Sequence, residues 1–102
     1  MMNQSILIGR ICNDIQIQKE GDKEFTVVTL AVQRSYKNED GEYDTDFIDV
    51  VLAGGVATHT AEYCQKGDLI GIKGRLEGSH MGVRLIADKV TFLSSKKPEE
   101  DE

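Results

Sequence analysis

The segment Arg34-Ser35-Tyr36-Lys37 sets one aromatic ring between two cationic side chains. Further on, Phe47-Ile48-Asp49-Val50-Val51-Leu52-Ala53 alternates, so Ile48, Val50 and Leu52 face one way and form core. Phe47 then shares the opposite face with Asp49, Val51 and Ala53, where a ring either packs under a loop, meets a partner subunit or receives a ligand. In Asp68–Glu77 the same parity puts Lys73 and Arg75 beside Glu77 and opposite Ile70, Ile72, Gly74 and Leu76. Two such bases lie roughly 7 Å apart along a strand, near the phosphate repeat of an extended polynucleotide. Arg10 closes the first apolar run of the chain. Each feature alone is an ordinary solvated surface. Together they supply what holds an unpaired nucleic-acid strand: rings that stack on bases at about 1–3 kcal/mol each, and bases that track the backbone.

The other rings read as structural. Tyr43 fits a loop anchor, Tyr63 a helix face, Phe92 the core parity of Val90, and Phe25 a core or interface position. Catalytic groupings are missing from the pattern. His59 and His80 have no acidic neighbour at a spacing that would orient either ring. His59 and Cys64 have no second pair to complete a zinc site, and Cys12 and Cys64 form no CxxC. Gly71-Ile72-Lys73-Gly74 lacks the order of a phosphate loop. The expectation is a protein with no enzymatic activity, no cofactor and no metal. Two separated cysteines make no disulfide framework, which favours a reducing, cytoplasmic setting. The start of the chain has neither a basic segment nor a long apolar stretch, so no signal peptide and no membrane span are expected.

Charge pulls the other way. The formal net charge is −6, which by itself disfavours a polyanionic ligand. The end of the chain, Lys96 and Lys97 with Glu99, Glu100, Asp101 and Glu102, contributes −2 of this. Much of the remainder lies in Glu39, Asp40, Glu42, Asp44 and Asp46. Binding to phosphate then depends on local potential around the bases, not on the total.

At 102 residues the chain suits one domain. Alternation and β-branched residues predict strands over Ser5–Cys12, Phe25–Arg34, Phe47–Ala53, Asp68–Glu77 and Val83–Leu93. Gly21-Asp22 marks a turn before the second strand, and an acidic loop of about ten residues follows it. Gly54-Gly55 opens a helix running to about Lys66, with Ala57, Ala61 and Cys64 on one face and Gly67 as its terminator. Gly78–Gly82 forms a short hairpin. Three strands, a helix and two strands is the order of an all-β OB-fold, a five-stranded Greek-key barrel with its helix between the third and fourth strands. The expected domain spans residues 1–94, and 95–102 form a short acidic disordered tail.

The run Val28-Thr29-Leu30-Ala31-Val32-Gln33-Arg34-Ser35-Tyr36-Lys37-Asn38, with Gly41 and Asp46-Phe47-Ile48-Asp49-Val50-Val51, resembles the bacterial single-stranded DNA-binding proteins. So do Leu7-Ile8-Gly9-Arg10-Ile11 with Asn13-Asp14, then Ala61-Glu62-Tyr63, Lys66-Gly67-Asp68 and Gly74-Arg75-Leu76. The likeness covers most of residues 3 to 93. It implies an OB-fold that assembles as a homotetramer, or less often a dimer. It also implies sequence-independent binding of single-stranded DNA, with replication, recombination and repair enzymes as partners. Tyr36 and Phe47 match stacking positions of that family, and Arg10, Arg34, Lys37, Lys73 and Arg75 match places where its members carry bases. The chain departs from the pattern in three places. Ala53 stands near a usual aromatic, the Gly78–Gly82 hairpin is short, and the acidic tail lacks an apolar tip. Those departures imply an affinity below the family norm. The competing reading is an OB-fold interaction module, such as a primosome-type accessory factor, whose Phe47 face meets protein.

Overall fold

The computed structural model describes residues 1–95. Of the expected acidic tail, 95–102, all but Ser95 lies outside the described residues.

The strands of the core form where the sequence alternates. In order they are β1 (Ser5–Ile11), β2 (Gln18–Glu20), β3 (Lys23–Lys37), β4 (Tyr43–Ala53), β5 (Leu69–Ser79) and β6 (Gly82–Ser94), with α1 (Gly54–Tyr63) between β4 and β5. The sheet runs β1-β5-β6-β4-β3, and β3 returns to β1 through Arg10 opposite Ala31 and Ile11 opposite Leu30. Five strands thus close a barrel. The β4–β6 seam is parallel and short, with Val50 opposite Leu85 and Val51 opposite Ile86. Inward residues of period two fill the interior: Val28 and Leu30, Val50 and Leu52, Ile70 and Ile72, Leu85 and Ala87, with Ile11. Burying each large aliphatic chain of this set contributes about 1.5–3 kcal/mol. This is the OB arrangement.

The helix is short and uncapped. Ala53 at its start makes no side-chain capping bond, so packing of Ala57 and Thr60 against the barrel holds it in place. It ends at Tyr63, not near Lys66. Cys64 is already extended, and the Asp68 carboxylate accepts the Gln65 N–H at 2.9 Å while Asp68 N–H returns to the Gln65 carbonyl at 3.0 Å. That tight turn takes up the groups that a further helical turn would use.

The acidic loop is also shorter than expected. Tyr43–Asp46 belongs to β4, leaving Asn38–Glu42 as the turn. Asn38 organises it: its side-chain oxygen accepts N–H groups of Asp40 and Glu42, and its own N–H reaches the Glu42 carbonyl. Gly41, at φ +79°, supplies the left-handed residue that this turn needs. The β5–β6 hairpin is tighter still, turning through His80 and Met81 with Ser79 opposite Gly82. Two register shifts offset the parity of β5 and β6, near Leu69 and near Gly74. At Gly74 the strands come so close that a Cβ would collide with the Ile86 carbonyl. Leu76 and Phe92 keep the parity of Gly74 and Val90, yet both are half-exposed and not core.

Candidate nucleic-acid interface

Strand β3 leaves register with β4 between Gln33, opposite Thr45, and Lys37, opposite Tyr43. Arg34, Ser35 and Tyr36 occupy this irregularity and have no cross-strand ladder partner. What fixes Arg34 is β4. Its Nε donates to both oxygens of Asp46, at 3.3 and 3.1 Å, and its Nη2 donates to Oδ1 at 3.0 Å. Asp44 stands 3.7 Å from Nη1. The hydrogen bond from Arg34, ahead of its charge, holds the Asp46 carboxyl below the usual carboxylate range, and the same contacts push the guanidinium further up. The guanidinium also lies 5.9 Å from the Tyr36 ring centre, with Nη1 3.4 Å from the Tyr36 hydroxyl.

Phe47 lies elsewhere on the same ribbon. Asp44 and Asp46 share one face of β4, so Phe47 and Tyr43 share the other. Phe47 is 69 % exposed, far more than a ring that packs beneath a loop. The Lys37 ammonium sits 5.8 Å from the Tyr43 ring centre on that second face. The β3–β4 ribbon therefore carries a ring-and-base pair on each side: Arg34 with Tyr36, and Lys37 with Tyr43 near Phe47. Tyr43 thus belongs to strand β4 and not to the loop. Its alternation with Thr45 and Phe47 marked this face once β4 began at Tyr43.

Beside Phe47 the β4–β6 seam opens, leaving a groove of about 460 Å³ lined by Ser5, Leu7, Ile48, Leu76, Val83 and Leu85 among others. Asn3 pins one wall, since its side chain both donates to the Leu76 carbonyl and accepts the Leu76 N–H. Strand alternation puts Leu76 on the face of Gly74 and Val83 on that of Leu85, but only the pairing of β5 with β6 brings the two beside Phe47.

The remaining bases are spread over the barrel. Arg10 is exposed at the end of β1 and donates from Nη1 to the Gly67 carbonyl at 3.0 Å. Lys73 is exposed on β5, and Arg75 is held by Glu77 at 3.0 Å and by Asp88. Arg34, Tyr36, Lys37 and Phe47 are thus gathered on one ribbon, while Lys73 and Arg75 stand on the β5 face and Arg10 at the barrel seam. Among the described residues no cluster of His, Cys, Asp and Glu could hold a metal, and no helix is long and apolar enough to cross a membrane. The His59 and Tyr63 rings meet on the helix with centres 4.6 Å apart and planes tilted by 44°, and both cysteines are free.

The pattern of the Single-strand binding protein family matches residues 2–92. The Single-stranded DNA-binding protein B of Bacillus subtilis is 38 % identical over 109 residues, which cover 97 % of this chain and 96 % of that one. The Single-stranded DNA-binding protein of Staphylococcus epidermidis is 30 % identical, covering 94 % of this chain and 79 % of its own. The crystal structure of the wild-type single-stranded DNA-binding protein from Thermus aquaticus superposes with a TM-score of 0.76 at 25 % identity, over 91 % of this chain and 50 % of that one. The second single-stranded DNA-binding protein from Mycobacterium smegmatis superposes at 0.71 over 90 % of this chain and 89 % of its own, and at 18 % identity that likeness speaks for the barrel alone. With the barrel, the exposed ribbon and these matches in hand, the chain belongs to the single-strand binding protein family.

Proposed function

We propose that the chain binds single-stranded DNA without reading its sequence, and performs no catalysis. Tyr36 and Phe47 stack on bases, while Arg10, Arg34, Lys37, Lys73 and Arg75 meet phosphates. The carrying observation is Phe47, a large ring left 69 % exposed on the outer side of a barrel strand beside an open groove. The OB-fold uses this strand pair and its neighbouring hairpins for oligonucleotides. The test is binding of oligo-dT followed by tyrosine fluorescence at low and at high salt. Saturable binding that weakens steeply with salt is expected. No binding at low salt, or duplex binding as tight as single-strand binding, would overturn the reading.

The working form is a homo-oligomer, a tetramer in preference to a dimer. In support, the β1 edge from Ser5 to Ile8 has no partner on the β3 side, and Ile6 and Ile8 point outward at 68 % and 56 % exposure. Sedimentation of the protein alone and with a long oligonucleotide measures subunit count and site size together. Replication, recombination and repair enzymes in the cytoplasm are the partners this reading implies.

One observation favours a second reading. The groove beside Phe47 has apolar walls at Leu76 and Val83, which also suit a protein segment. Phe47→Ala separates the two: lost DNA affinity with an intact oligomer supports strand binding, and dissociated subunits support a protein contact.

A further inference from the structure

Tyr36 presents a difficulty for stacking. It lies in the stretch where β3 has left register, so no residue of β4 stands paired opposite it. A ring that receives a base gains most when it is already in place, because ordering a mobile side chain on binding costs about 0.5–1.5 kcal/mol. The restraint comes instead through side chains. Asp46 sits in regular register, its Cα opposite Val32, and engages Arg34 through Nε and Nη2 together. That two-point grip fixes the plane of the guanidinium, which a single contact would leave free to swing. The guanidinium so fixed rests against the Tyr36 ring and its hydroxyl.

We propose that Asp46 is a positioning residue, one that holds Arg34 against Tyr36 and so presents the other face of that ring to a base. This rests on the stacking role of Tyr36 stated above. It carries an unusual sign. Asp46 is one of the acids that give the chain its net charge of −6, and simple electrostatics says that removing any of them strengthens DNA binding. Positioning says that removing this one weakens it. Asp44 is the internal control, because it lies on the same face but reaches Arg34 only at 3.7 Å.

The experiment compares oligo-dT affinities of the full chain and its D46N, D46E, D44N, R34Q and R34Q/D46N variants at one salt concentration. D46N is expected to bind about two- to fivefold more weakly, the worth of an exposed cation–π contact. D46E restores affinity, and D44N binds as tightly as the parent or tighter. In the R34Q background D46N has no further weakening effect, since Asp46 acts only through Arg34. In the unliganded protein D46N shifts the Tyr36 ring resonances by NMR, and D44N does not. Both side chains of the pair are partly exposed, so thermal melting of D46N and D46E is expected to confirm folded protein at the assay temperature. D46N binding as tightly as the parent overturns the inference, as does equal weakening with and without Arg34. Y36A keeps the two proposals apart. Undiminished binding by Y36A removes the stacking role itself, whereas weak Y36A with unaltered D46N removes only the role of Asp46.

Discussion

Lys73 stands directly opposite Lys89 across β5 and β6, and Ile6 of β1 is its partner on the other side. Among the described residues neither lysine makes an ion pair, while Arg75 on the same strand is gripped by Glu77 and Asp88. Like charges facing each other across a ladder destabilise it by about 0.2–1 kcal/mol. Replacing Lys89 with Glu reverses that term. Thermal unfolding by circular dichroism should show a midpoint raised by about 1–6 °C for a domain of this size. An unchanged or lowered midpoint would mean that the two ammonium groups do not feel each other.

The same contrast ranks the bases as phosphate contacts. A free cation releases a counterion when it meets a phosphate, whereas one already neutralised must first give up its carboxylates. Lys73→Gln should therefore lower the slope of log K against log salt by about 0.7, the value for one contact on a single strand. Arg75→Gln should lower it by less. Titrations across a salt series decide this, and equal losses would refute the ranking.

Tyr36 and Phe47 make no contact with each other, so their contributions to binding should add. Tyr36→Ala and Phe47→Ala are each expected to cost about 1–3 kcal/mol of oligo-dT affinity, and the double variant their sum. Circular dichroism of each variant should match the parent, because both rings lie outside the core. A double variant no weaker than the worse single one would show that only one ring touches the strand.

The Arg34–Asp46 pair also has a pH signature. Asp46 has its folded pKa lowered, chiefly by the hydrogen bond from Arg34, so its contribution is complete above the usual carboxylate range. It disappears as pH falls through the lowered value. The midpoint difference between the parent and D46N should be constant from pH 6 to 8 and shrink below about pH 4. A difference that changes between pH 6 and 8 would assign the effect to another group.

Element order and core were legible because burial is written with period two. Val28 and Leu30, or Val50 and Leu52, announce an inward face wherever they occur. β2 was not legible, since Gln18, Lys19 and Glu20 are all exposed and carry no apolar alternation. The true length of β4 was hidden too, because Asp44 and Thr45 lie where both faces of the ribbon meet water. Leu76 and Phe92 keep the parity of Gly74 and Val90 yet are half-exposed, because alternation tells which face a residue takes and not how far along the strand that face stays covered. At the site, residue types were readable and pairings were not. Arg34 and Asp46, or Arg75 and Asp88, meet only through the ladder that brings distant segments together. Nothing in the spacing of either pair foretells it.

The two-sided ribbon has a geometric consequence. Tyr36 gathers with Arg34 on the face of Asp46, while Phe47 looks out from the other. A polymer that touches both rings must round the edge or the tip of the β3–β4 hairpin, which then acts as a post around which the strand turns. An oligonucleotide too short to make that turn engages one side only. Affinity should therefore rise in a step, not smoothly, as the oligonucleotide grows long enough to round the post.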